Sequence, residues 1–469
     1  MKVFILNLPS KTPIVRRYKC SYNAPLFLMP PLELSYLAGI TKNIKGLQYC
    51  FKDYMSKKIE IDDVINDLKE FNPALIVTIV GIESIDHDMH LISLINDVID
   101  VKVVIMGYLP SIEPAIFLRN SYIDFILKNE PEETYEALIT CLLNNRGNDF
   151  SHIKGLAFKT GDQVKVNTER ERIADIDKIP IPDRESILGD QYSEPYFGRP
   201  FTTMLYSRGC SFKCNFCVKT YGLKVVYHSV NRMIQELRHT VNVLNIKHIR
   251  FMDDNFTTNK SKVIALCDEI IKEDLKFDWI CLSRVDTIDK EMVEKMKEAG
   301  CKRIYLGLES GNQNILDYYK KGYNRGRITE TVGILKECKI EVFGFIMTGA
   351  PDETDEDFNK TLEFLARLNL DFAVLDLLMP YPGTELFEKM RGDIVFSVFP
   401  YRLGYKDETR WNIMKKRERL FFRSFYLSKS QIMKQLTLFF KYPNDSIKGY
   451  YTILKYFFYK KNKIHDKYV

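Results

Sequence analysis

Ser207-Arg208-Gly209-Cys210-Ser211-Phe212-Lys213-Cys214-Asn215-Phe216-Cys217 is the stretch on which the reading of this chain turns. The protein has ten cysteines, and seven of them (Cys20, Cys50, Cys141, Cys267, Cys281, Cys301, Cys338) are scattered. Cys210, Cys214 and Cys217 fall within eight residues, close enough to fold round one metal centre. Structural zinc normally takes four protein ligands. The nearest histidine is His228, so a zinc knuckle completed by it is the bland alternative. Three thiolates have another use, since soft sulfur ligands suit iron–sulfur chemistry. They can hold three irons of a [4Fe–4S] cluster and leave the fourth open.

Working outward, the cysteine loop follows the first of six apolar runs: residues 202–206, 248–252, 277–282, 303–308, 341–347 and 372–378. Each reads as a strand, with a helix before the next. Six βα units predict a partial (β/α) barrel, whose functional residues cluster at the carboxyl ends of its strands.

Upstream, residues 1–145 alternate strands with amphipathic helices. Strands are expected at 3–6, 48–51, 74–80, 101–105 and 123–127. Helices are expected at about 32–44, 61–71, 90–99 and 132–143. The pattern predicts a doubly wound parallel sheet that binds ligands at its carboxyl edge. Residues 146–200 carry a hairpin turning at Thr160-Gly161-Asp162, then a proline-bearing connector. The expected domains are therefore 1–145, a hairpin and linker at 146–200, the barrel at 201–390, and an extension at 391–469.

Composition narrows the class. Of 469 residues, 45% are hydrophobic and 28% charged, which excludes a disordered, collagen-like or coiled-coil chain. No apolar run is long enough for a membrane-spanning helix. The first residues, MKVFILNLP, read as a strand rather than a secretory leader. A cytoplasmic protein with reduced thiols is expected. The net charge is +6, but residues 411–469 alone hold 14 Lys/Arg against 3 Asp/Glu.

The C-x3-C-x2-C spacing after a first barrel strand resembles the radical S-adenosylmethionine (SAM) enzymes. The resemblance implies a [4Fe–4S] cluster on Cys210, Cys214 and Cys217, with SAM on the open iron. It implies cleavage of SAM to a 5′-deoxyadenosyl radical, with an external electron donor such as flavodoxin or ferredoxin. It also implies a SAM site drawn from successive strand ends. Those residues are Phe216 beside the last cysteine, Asp254 after the second strand, Arg284 after the third and Glu309 after the fourth. Ile346 and Gly349 follow on the fifth, and Tyr381 after the sixth. The usual Gly-Gly-Glu is replaced here by Met252-Asp253-Asp254-Asn255. Taken singly, Arg284 could form a surface ion pair, Glu309 an N-cap, and Gly349 a strand end.

The doubly wound domain resembles the cobalamin-binding subclass of that superfamily. Pro30-Pro31-Leu32-Glu33-Leu34 and Asp53 are similar to its motifs. Cobalamin is then expected near Pro31, Leu34, Gly107 and Glu130. Two segments depart: Gly107-Tyr108-Leu109-Pro110 stands for Gly-Gly-Pro, and Asn129-Glu130-Pro131-Glu132 for Gly-Glu-Gly-Glu. Asp88-Met89-His90 superficially resembles a histidine ligation signature but follows the wrong strand, so His90 is read as an exposed helix residue.

The expected architecture is thus α/β: an N-terminal doubly wound Rossmann-like domain of cobalamin-binding type, a partial (β/α)6 radical SAM barrel, and a C-terminal helical extension. The expected activity is cobalamin-dependent methyl transfer to an unactivated carbon of a small or lipid-like substrate. The alternatives are radical SAM cyclisation, isomerisation or oxidation over an empty cobalamin fold, and a non-catalytic iron–sulfur or zinc protein. No general acid or base is assigned. The basic, aromatic tail reads first as a helical cap on the barrel, and more sharply as a peripheral contact with anionic lipid. No nucleic-acid partner is expected, as no RNA-binding module is visible.

Overall fold

The computed structural model describes residues 1–449, apart from residues 19–20, 24–26, 57–58, 145–148, 162 and 190. Asp162 of the expected turn and the tail aromatics beyond residue 449 lie outside the described residues. The described residues divide into two compact units, Met1–Glu194 with Ser397–Arg402, and Pro195–Phe396 with residues 403–449.

The first unit is a seven-stranded sheet. In chain order its strands are β1 (Lys2–Asn7), β2 (Gln48–Asp53), β3 (Leu75–Ile79), β4 (Lys102–Met106), β5 (Phe125–Leu127), β6 (Leu156–Thr160) and β7 (Gln163–Val166). They lie in the order β2-β1-β3-β4-β5-β6-β7. The first five are parallel, and every residue of β3 is buried, as a strand covered on both faces requires. The hairpin β6–β7 pairs antiparallel with β5 and extends this sheet. The strand order reverses between β1 and β3, which makes their carboxyl ends the natural ligand crevice.

Between the strand expected at 3–6 and the helix expected from 32, no element is expected. The structure finds a short antiparallel hairpin there, Ile14–Arg16 with Ser21–Asn23. The helix expected from residue 90 begins earlier, at Ile85. His90 is exposed on it, as expected. Ser397–Arg402 joins the first unit through Tyr401, whose N–H donates to Asp86 at 2.9 Å, and through Phe399, edge-on to Phe117.

The second unit holds six parallel strands in unbroken chain order: β8 (Phe201–Met204), β9 (His248–Phe251), β10 (Asp278–Ser283), β11 (Cys301–Glu309), β12 (Glu341–Thr348) and β13 (Phe372–Leu377). Helices between them pack Met233, Leu266, Met292, Ile328 and Leu365 against the sheet. Trp279, wholly buried, anchors the centre: its ring meets Phe251 edge-on and its Nε1 donates to the Ala299 carbonyl at 2.8 Å. Two helices follow, Glu408–Tyr426 and Lys429–Lys441. Among the described residues no helix is long and apolar enough to cross a membrane.

Candidate active site at the carboxyl ends of the barrel strands

The cysteine loop leaves β8 and is closed at its base by a two-residue antiparallel ladder, Ser207 with Tyr227 and Arg208 with Val226. Gly209 opens the loop at φ +95°, and a Cβ there would overlap the Lys224 carbonyl. Only glycine therefore fits. Inside the loop, Cys210 N donates to Gly222 O at 3.1 Å, and Cys217 N to Cys214 O at 3.4 Å. Asn215 pins the loop outward: its Nδ2 donates to Tyr318 O at 2.6 Å, and its carbonyl accepts from Leu386 N at 3.0 Å. Phe216 packs edge-on against Tyr319, with ring centroids 5.3 Å apart. Cys214 is buried, Cys210 half-buried and Cys217 exposed.

Arg284 reaches this loop from the end of β10. Its Nη1 donates to Cys214 Sγ at 3.2 Å, and its guanidinium carbon sits 3.6 Å from the Phe212 ring centroid. Nε and Nη2 each donate to Asp286 at 2.9 Å, and Nη2 also to Lys321 O at 2.5 Å. The resemblance implies a SAM carboxylate for Arg284. Here its donors are largely engaged, and they hold the cysteine loop.

Lys321 is the neighbouring cation. It is buried, and its Nζ donates to Glu309 Oε1 at 2.9 Å. Burial alone would lower its pKa; the Glu309 carboxylate outweighs that and holds the ammonium above the ordinary lysine range. Glu309 sits at φ +60°, an uncommon backbone for a non-glycine residue. Sequence reasoning missed Lys321: in sequence it is one of an ordinary lysine pair.

After β9, the two aspartates part ways. Asp253 is buried and accepts from Ser207 Oγ at 2.6 Å, from Ser207 N at 2.5 Å and from Tyr206 N at 3.1 Å. Burial pushes its carboxyl up to about 6. It ties β9 to the start of the cysteine loop, while Asp254 is half-buried. Asn255, in the same segment but given no role from sequence, is wholly buried; its Oδ1 accepts from Arg284 N at 3.0 Å. Its Nδ2 has no partner among the described residues.

On β12, Ile346 is buried in the core and is the register partner of Glu309. Gly349, at φ +107°, presses on the helix Glu408–Tyr426: a Cβ would overlap Met414 Sδ. Glu353, another residue missed, accepts from Gly349 N and Thr348 Oγ1, each at 2.7 Å, and from Arg417 at 3.0 Å. Tyr381 is half-buried, and its carbonyl caps Thr384.

In the first unit, Leu34 is wholly buried in the core and Pro31 precedes its helix. Neither presents a polar group. Glu130 is committed to Ile173 N at 3.1 Å and to Arg172. Gly107 stands at φ +150°, where a Cβ would overlap the Val80 carbonyl. The Ser111 hydroxyl accepts from Asn129 N at 3.1 Å and bonds the Tyr18 hydroxyl. Arg16 and Asp88, both wholly buried, pair at 2.7 Å beside Asn7 at the carboxyl end of β1. Two buried oxygens, Glu33 Oε2 and Thr78 Oγ1, lack partners among the described residues, so polar valence remains for a ligand.

Among the described residues no three His, Cys, Asp or Glu side chains already stand as a metal-holding group. The three thiols share one loop, and Arg284 donates to the sulfur of Cys214. That donor set fits an iron–sulfur centre better than a closed zinc site.

The family model of the radical SAM superfamily matches residues 204–365. An uncharacterized methyltransferase of Pyrococcus horikoshii is 33% identical over 364 residues, which are 76% of this chain and 78% of the relative. The chain belongs to the radical SAM superfamily. It is thereby an enzyme, and the non-catalytic readings fall away. The cytidylyl-2-hydroxyethylphosphonate methyltransferase of Streptomyces wedmorensis is 24% identical over 467 residues, 86% of this chain and 85% of that relative. Among solved structures, the cobalamin-dependent SAM radical enzyme OxsB, with aqua-cobalamin and SAM bound, superposes with TM-score 0.73 at 18% identity. That match covers 97% of this chain and 70% of OxsB. The radical SAM methyltransferase TsrM of Kitasatospora setae gives 0.69 at 17% identity, covering 83% of this chain and 75% of TsrM. The fold is thus that of the superfamily members with a cobalamin-binding-type domain ahead of the barrel.

Proposed function

We propose that this radical SAM enzyme is a cobalamin-dependent methyltransferase acting on an unactivated carbon of a small or lipid-like substrate in the cytoplasm. The observation that carries the reading is the Arg284 contact to Cys214 in a three-cysteine loop at the carboxyl end of the first barrel strand. When bound, the cluster supplies the electron that cleaves SAM to a 5′-deoxyadenosyl radical, and cobalamin supplies a methyl carrier.

Cys210, Cys214 and Cys217 would hold the cluster, with Arg284 orienting Cys214. Phe216 would pack on SAM. Asp254, Lys321, Glu309 and the Asn255 Nδ2, without a partner among the described residues, would meet its polar groups, with Ile346, Gly349 and Tyr381 bounding the site. The buried walls of β9–β12 would keep water from a reactive intermediate. The electron comes from an external donor of the flavodoxin or ferredoxin kind. In the first unit, Gly107, Ser111 and the Glu33 and Thr78 oxygens without partners among the described residues would face cobalamin, with Pro31, Leu34 and Glu130 shaping the edge behind them.

One observation favours a second reading, radical chemistry without cobalamin: Tyr18 and Arg16 already engage Ser111 and Asp88 at that edge. The test is anaerobic purification, iron–sulfur reconstitution, addition of hydroxocobalamin, gel filtration, and assay of iron and cobalt per chain. Cobalt retained beside iron, followed by methylated products from labelled SAM, supports methyl transfer. Iron and SAM cleavage without cobalt would move the assignment to cyclisation, isomerisation or oxidation. Absence of SAM cleavage in a cluster-loaded protein overturns both.

A further inference from the structure

The helix Lys429–Lys441 is turned inside out for a surface helix. Its inward face is polar: Gln431 Nε2 donates to Leu370 O at 2.9 Å, and Lys434 Nζ to the same carbonyl at 2.6 Å and to Asn369 at 2.9 Å. Its outward face is apolar. Met433 is 60% exposed, Leu436 47% and Phe440 84%, and their spacing puts them on one stripe. Ile432, four residues before Leu436, adjoins the stripe, and Leu427 and Ile447 outside the helix are exposed as well. A contiguous apolar surface of this kind marks an interaction site.

Charge selects the occupant. Arg423, Lys429, Lys441 and Lys448 are exposed around the stripe. The lone acidic residue in 419–449 is Asp445, which is half-buried and accepts from Tyr196 N at 2.9 Å. A second copy of this chain would set lysine against lysine, and so would the chain's own residues 450–469, with five lysines and one aspartate. Nucleic acid would match the charge, but single strands bind by successive stacking on aromatics, and beside Phe440 the stripe offers the aliphatic Met433 and Leu436, with Ile432 next to them. Apolar side chains ringed by lysine suit acyl chains beneath anionic headgroups.

We propose that the outward face of this helix docks on an anionic phospholipid surface. The inference is independent of the reaction assigned above. The test uses the full chain in sedimentation with phosphatidylcholine vesicles, with and without phosphatidylglycerol, at about 0.1 M salt. Expected is binding to the anionic vesicles, at least about tenfold weaker binding to neutral ones, and weakening by added salt. Met433→Ser/Leu436→Ser/Phe440→Ser should lower anionic binding about tenfold. Lys429→Glu/Lys441→Glu should do the same by charge alone, and keeps the proposal testable if the first variant fails to fold. Failure to bind, or undiminished binding by both variants, overturns the proposal. A dimer in light scattering that the triple variant abolishes would give the face to a second copy and overturn it. Preferential binding of single-stranded RNA, lost in the same variant, would also overturn it.

Discussion

Nη1 of Arg284 donates to Sγ of Cys214 at 3.2 Å, across 70 residues of chain. The same guanidinium stacks on Phe212, so one cation holds the loop from the side and from beneath. Asp286 fixes it in turn through two bonds of 2.9 Å. A planar five-donor fork suits this combination, and a lysine does not. Arg284→Lys should therefore behave nearly as badly as Arg284→Gln. Both variants should retain less iron and sulfide than wild type after reconstitution and gel filtration. Wild-type iron content in Arg284→Gln would refute the role of this contact.

Cys214 is the buried thiol of the three. Cys214→Ala should abolish the brown iron–sulfur absorbance and SAM cleavage together, while the thermal unfolding midpoint changes little. Full SAM cleavage by Cys214→Ala would remove the loop from the reaction.

Lys321 and Glu309 make a buried pair at 2.9 Å. Lys321→Met leaves the carboxylate buried without its cation, which costs about 3–5 kcal/mol. The change Lys321→Met/Glu309→Gln removes both charges and should recover much of that stability. It should leave SAM affinity weakened if the pair meets the ligand. Urea unfolding together with SAM binding, measured on both variants, separates these effects. An unchanged SAM affinity in the double variant would make the pair purely structural.

Much of this architecture was legible because most strands are short apolar runs, β3 buried throughout. β3 and each barrel strand stand within a few residues of their expected places, and the helix Ile61–Phe71 has its expected ends. The hairpin Ile14–Arg16 with Ser21–Asn23 was not legible, because adjacent arginines read as loop. Arg16 is buried only because Asp88, 72 residues away, neutralises it. The start of the helix at Ile85 was hidden similarly, since Asp86 and Asp88 look like solvent-facing residues. The cysteines and strand-end residues could be picked from spacing. Which cation serves which partner could not, since Arg284 meets Cys214 and Lys321 meets Glu309 only through tertiary contacts.

Gly349 shows a related ambiguity, between contact with a ligand and contact with a helix. At φ +107° an L side chain is strained, and the added Cβ would press on Met414. Gly349→Ala should destabilise the protein by about 1–3 kcal/mol. Met414→Ala should restore space but not the backbone preference, so the two changes together should recover only part of the loss. Calorimetric midpoints of the three variants check this, and a neutral Gly349→Ala would contradict the packing seen.

Asp253 makes stability depend on pH with a sign that can be worked out. Its folded pKa is about 6, raised by burial from the ordinary 3.8. The folded state therefore holds the proton more tightly than the unfolded chain. That contribution is fully present below about pH 4 and is lost as pH rises through about 6, amounting to roughly 2–3 kcal/mol at about 1.4 kcal/mol per unit. Asp253→Asn does not titrate, so the decline between pH 4 and 6.5 should be shallower in this variant than in wild type. At neutral pH, Asp253→Asn turns an amide donor toward the N–H groups of Ser207 or Tyr206 and should cost about 1–3 kcal/mol. Urea unfolding of both proteins at intervals across that range provides the comparison. Parallel wild-type and variant profiles would show that Asp253 stays ionised throughout, held by its three donors against the cost of burial.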